Sequence, residues 1–163
     1  MATWQYTLYL IPRASVLNRF GSLPSRITRT EMNEGTWWFG HVLGHELDVL
    51  NSMFPARKPW HTEMRAWGSD DGDSIDVFLN DSAIDEFVAR VDARSGDSDF
   101  LRQIASFASQ FDLLFVTEEL NLREPVWDQL RLDLERSSAM EFSKDPEGYL
   151  RRRGGAGTIR LED

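Results

Sequence analysis

Residues 62–80, TEMRAWGSDDGDSIDVFLN, decide the fold. The Gly/Asp-rich centre, SDDGD, marks a turn: Gly supplies positive φ freely, and Asp bonds its own backbone there. The flanking runs, roughly 62–68 and 74–80, then read as the two strands of a β-hairpin. Just downstream, EFVARVDAR (86–94) alternates with period two. Phe87, Ala89, Val91 and Ala93 face inward, and Glu86, Arg90, Asp92 and Arg94 outward, as in a strand with one wet face. Upstream, Trp4, Tyr6, Leu8 and Leu10 alternate with Gln5, Thr7 and Tyr9 in another strand, stopped by Pro12. DLLFVT (112–117) is a short apolar run, expected as a central buried strand.

Helical spacing fills the remainder. RASVLNRF (13–20) predicts a short helix ended by Gly21, and GSLPSRITRT (21–30) reads as loop. Thr36 is a plausible N-cap for a helix over 37–54, stopped by Pro55. At helical spacing Phe39, Leu43, Leu47, Leu50 and Phe54 form its core stripe. His41, His45, Asp48 and Ser52 fall opposite, edged by Trp37 and Trp38, while Gly40 and Gly44 weaken the helix. Phe100, Leu101, Ile104, Phe107, Ala108 and Phe111 predict a helix over 98–111, capped by Asp97 or Ser98. Pro125 opens another, with Val126, Trp127, Leu130 and Leu134 on its apolar face. A last one starts at DPEGYLRRR, with Asp145 as cap and Pro146 at the first position. Neighbouring strands without regular βαβ alternation imply an α+β fold. The expectation is a single domain over 1–153: a mainly antiparallel sheet of about four to five strands, with helices packed on one face. Residues 154–163 read as a flexible tail.

The chain has 163 residues, 41% of them apolar, so one ordinary core can form. No apolar run is long enough to span a bilayer. No export signal is recognisable at MATWQYTLYLIPR, which makes the cytoplasm the expected location. With no Cys, disulfides and thiolate chemistry are excluded. The net charge is −9, and between Asp70 and Asp99 ten acids face two bases. Such a segment repels nucleic acid, whose phosphates need clustered Lys and Arg. It attracts a basic partner, or it is simply a solvated acidic surface.

Three constellations stand out. His41, His45 and Asp48 follow the pattern HxxxHxxD, and with His61 from the following loop they form a candidate site for Zn²⁺ or another divalent ion. The pattern is not HExxH, because Glu46 follows the second His; on a helix it points away from both His side chains. SDDGDSID lacks the Glu that a calcium loop needs, so a hairpin turn explains it better. Asp76, inside a strand, is expected to pair with an Arg across the sheet, and Asp76 with Asp92 is a candidate carboxylate pair. Nucleophile elbows, phosphate-binding loops and dinucleotide fingerprints are absent from the sequence, so no catalytic residue is expected. Finally, six Trp is a high count; Trp37, Trp38 and Trp60 serve as interface anchors if their face is open, and as a second packing surface if another segment covers it, the reading that the usual burial of Trp favours.

The series WGSDDGDSIDVF, FVARVDAR, FDLLFVTEE and DPEGYL resembles one in small bacterial proteins of the toxin-immunity type, over roughly residues 60–150. The resemblance implies a small, acidic, non-enzymatic protein that blocks a toxin by occlusion, without a cofactor. The surface expected to meet a basic protein partner is Asp70, Asp71, Asp73 and Asp76, with Trp37 and Trp38. Two alternatives stand beside it: a metal-dependent enzyme built on His41, His45, Asp48 and His61, and a small-molecule binding domain in the cleft between the 37–54 helix and the sheet.

Overall fold

The computed structural model describes residues 2–95 and 99–162, with side chains as far as Gly154. Seven strands among them form one sheet: β1 (Gln5–Pro12), β2 (Ala56–Arg57), β3 (Met64–Gly68), β4 (Ser74–Asn80), β5 (Ala83–Asp92), β6 (Leu113–Thr117) and β7 (Leu122–Arg123). Their spatial order is β2-β3-β4-β5-β1-β6-β7, and every neighbouring pair is antiparallel. The α+β class and the antiparallel sheet stand, but the strand count exceeds the expected four to five. The two additions, β2 and β7, are two residues long and sit at the edges. Two residues carry no readable period, so alternation cannot reveal them. Both edges are guarded against pairing with other chains: Pro55 and Pro59 flank β2, and Arg26 bridges Asn121 beside β7.

β1 lies inside the sheet, with Tyr6 opposite Val91 of β5 and Leu10 opposite Phe115 of β6. Residues paired across an antiparallel ladder share a face. Tyr6, Leu8 and Leu10 therefore lie with Phe87, Ala89, Val91, Ile75, Val77 and Phe115 on an apolar first face, and all are buried. The other face carries Gln5, Thr7, Ser74, Asp76 and Asp92, and these are buried too. Ile11, Val88, Leu114 and Val116 are buried on that same face, so the alternation in β1 and β5 separates an apolar layer from a mixed one rather than a dry face from a wet one.

The helices are α1 (Arg13–Phe20), α2 (Arg29–Glu34), α3 (Glu46–Met53), α4 (Asp99–Gln110), α5 (Trp127–Glu135), α6 (Ser138–Lys144) and α7 (Pro146–Glu162). Several of them sit against the first face. Phe107 of α4 meets Phe87, Asn51 of α3 accepts from the Trp67 indole, and Phe142 of α6 stacks on Trp4. α4 buries Phe100, Leu101, Ile104, Phe107 and Ala108 as its spacing predicts, while Phe111 falls just past its end and is partly buried; a fully buried Phe107 contributes about 1.5–3 kcal/mol. Its expected caps, Asp97 and Ser98, lie outside the described residues. Helices are not confined to one face, because Met32 of α2 lines a cavity with Tyr9 and Glu86 of the second. α2 falls in the stretch expected as loop. Its capping box, Thr28 with Glu31, is the signal that marks it in the sequence. The backbone of α7 continues to Glu162, but beyond Gly154 the side chains of the expected tail lie outside those described.

Candidate functional site

The helix expected over 37–54 is only α3, Glu46–Met53. Residues 36–41 form two overlapping turns instead, and 42–45 are irregular. Phe39 N–H bonds the Thr36 carbonyl, and His41 N–H bonds the Trp38 carbonyl at 3.1 Å. Gly40 has φ 78°, the positive value that a type II turn requires at its third residue. That turn puts Phe39 at its tip. Phe39, expected in the core, is 87% exposed, and Val42 is 85% exposed.

Trp37 and Trp38 go the other way. Only 6% and 4% exposed, they belong to the core and are not available as surface anchors. Trp37 stacks on Phe20 and accepts the Ser15 hydroxyl at its carbonyl. Trp38 stacks on Phe87 and donates to the Leu10 carbonyl at 3.1 Å. Two consecutive Trp side chains burying against different neighbours fix the backbone more strongly than the propensity of a segment with two Gly can.

The turns are fastened by Glu46. This buried carboxylate accepts the Gly44 N–H at 2.6 Å and meets His41 Nε2 at 3.0 Å. A helix over 41–46 would aim Glu46 away from His41; the turns bring the two together. His41 also lies edge-on to Trp38, with ring centroids 4.9 Å apart. His45 and Asp48 are exposed and 3.8 Å apart, and exposed His61 accepts the Glu63 N–H. The candidate metal ligands are thus divided among separate contacts. Among the described residues no group of three or more His, Asp or Glu is arranged to hold a metal ion.

The acids expected to face a partner are largely engaged inside the protein. Asp76 is buried, and as expected it pairs across the sheet, with Arg90 and also with Arg57, each at 2.5 Å. This corrects its placement on a partner-binding surface. Asp73 is half-buried and accepts the Asp92 N–H at 2.7 Å; loss of hydration pushes its carboxyl above the usual range, the Asp92 amide opposing. Asp92 is held by Arg94 rather than by Asp76. Asp70 and Asp71 remain exposed. Asp70 bonds Arg57 at 2.6 Å, and the Asp71 carbonyl accepts from Trp4 Nε1 and Arg94. Gln5 ties the same turn down through the Asp70 and Gly72 carbonyls. Beside this network the second face opens into a depression of about 250 Å³, with Arg57, Asp76 and Arg90 below and Trp60 and Phe78 along it.

Sequence reasoning missed Phe39, Val42 and Glu46. The tetrad WFGH, with Gly third, is the signal that marks the turn. No helix among the described residues is long and apolar enough to cross a membrane. Compared with protein-family models, curated proteins and solved structures, the chain finds no match, and the geometry above carries the reading of function.

Proposed function

We propose that this chain is a non-enzymatic binding protein of the immunity type, which neutralises a basic toxin by occluding it through the 36–45 loop. One observation carries the reading: Phe39 and Val42 stand exposed on a loop whose backbone is fixed from below by Glu46, Trp37 and Trp38. Large apolar side chains held in water by a rigid, internally bonded turn favour a partner with a matching pocket. Asp85 and Glu86 line the small depression against Trp37 and Trp38, so the rim beside the loop is acidic. With a net charge of −9, the protein draws a basic partner to that surface and repels nucleic acid. The anchors are thus Phe39 and Val42, not Trp37 and Trp38.

Photo-crosslinkers placed at positions 39 and 42 test this reading in cells that carry the natural gene neighbourhood. The expected product is one basic protein whose toxicity the wild-type chain relieves and the Phe39→Ser/Val42→Ser double variant does not. A double variant that protects as well as wild type overturns the proposal.

A further inference from the structure

The polar depression on the second sheet face lies apart from the turns around Phe39, and it has the composition of a small-ligand site. Arg57 and Arg90 both hold the buried Asp76, and Arg57 also holds Asp70, so two guanidinium charges meet two carboxylates around its floor. Arg57 uses its two terminal nitrogens on Asp70 and Asp76. Arg90 bonds only through Nη1, while its Nε is buried without a partner. The Nη2 side of Arg90 therefore keeps its donors for an acceptor in the depression. Ser74 lies directly across the ladder from Arg90 and lines the same space.

The rim adds an apolar platform. Trp60 is 70% exposed and meets both His61 and Phe78 at steep interplanar angles of 73° and 65°, not in parallel stacks. A flat ring can lie on an indole presented in that way. The cleft is more polar than most ligand sites, with Trp60 and Phe78 as its aromatic wall among charged and polar groups, and its volume of about 250 Å³ admits one ring with a single substituent.

We propose that this depression binds a small planar carboxylate, with the carboxylate on the Nη2 side of Arg90 and the ring on Trp60. An arginine with unoccupied donors prefers a carboxylate to a neutral amide, because charge-assisted hydrogen bonds are the stronger. The site is independent of the protein-binding reading, and either can fail alone.

Benzoate and its neutral counterpart benzamide are the probes. Each is titrated into the intact protein while the Trp60 indole and Arg90 side-chain NMR signals are followed. Benzoate is expected to shift both signals saturably and to bind at least about ten-fold more tightly than benzamide, the scale of one charge-assisted bond. Trp60→Ala, at an exposed position that leaves the Asp76 pairs intact, should weaken benzoate several-fold. Arg90→Gln should abolish the preference for the anion, and should it fail to fold, the probe pair and Trp60→Ala decide alone. Equal binding of the two probes, unchanged benzoate affinity in Trp60→Ala, or no shift at Trp60 and Arg90 overturns the proposal.

Discussion

Replacing Glu46 with Ala removes one carboxylate and releases two groups, the Gly44 N–H and His41 Nε2. A hydrogen bond to a charged acceptor contributes about 1.5–3 kcal/mol when fully buried. Here Gly44 is exposed and the His41 ring is partly so, and water replaces some of what is lost. The net cost for the two bonds is then about 2–3 kcal/mol, not the full sum. In a chain of this length each kcal/mol lowers Tm by roughly 2–4 °C, so the fall should be roughly 4–12 °C. Glu46→Gln keeps an acceptor for Gly44 and should lose about half as much. Thermal unfolding gives the magnitude, and amide hydrogen exchange gives the location. Protection should drop across 39–45 while β1, β5 and β6 keep theirs. Glu46→Ala within about 0.5 kcal/mol of wild type, with unchanged exchange at 39–45, would show that the carboxylate does not fasten the turns.

Trp38→Ala should destabilise by about 3–5 kcal/mol in denaturant titration, since it empties a core site and orphans the Leu10 carbonyl, whereas Trp60→Ala should stay within about 0.5 kcal/mol. Asp76→Ala should cost about 3–5 kcal/mol by leaving Arg57 and Arg90 without their shared carboxylate. The Asp73 and Glu118 carboxyls, both raised chiefly by burial, give a pH prediction. The folded state holds their protons more tightly than the unfolded state, so stability falls as pH rises from the ordinary carboxylate range through the raised values. Asp73→Asn with Glu118→Gln should flatten that decline in Tm against pH; a steeper slope would contradict the assignment. Gly68→Ala should destabilise measurably in the same assay, because φ is +84° and an added Cβ would lie 2.2 Å from the Asp73 carbonyl oxygen.

The parts of the fold legible in the sequence share a physical trait: their pattern is set by packing on a regular element. The 62–80 hairpin, the strand through Phe87 and Val91, and the helix through Ile104 and Phe107 were all visible, because alternation and 3.6-residue spacing register burial directly. Residues 37–45 were not. Their apolar positions fit a helical stripe by coincidence, while the decisive facts are tertiary: Phe87 waits for one indole and Phe20 for the other. Glu46 was discounted by an argument valid only on a helix. In the acidic hairpin the Arg90 partner of Asp76 could be foreseen from strand proximity. Arg57 could not, because it reaches Asp76 from a two-residue edge strand.

The place of β1 has a bearing on how the chain assembles. β5 and β6 do not touch each other in the ladder; each bonds to β1. The strands β2 to β5 can form as successive hairpins with neighbours close in sequence, and β6 and β7 as another. The two pieces become one sheet only when residues 5–12 slide between them. The strand earliest in the chain is thus the last to find both partners, a non-local closure of the kind that slows folding. Until it closes, β5 and β6 each present an open edge with buried-type side chains. A chain without its first strand would thus expose two edges at once, and a peptide spanning residues 2–12 supplied in trans is the reagent that would cap both.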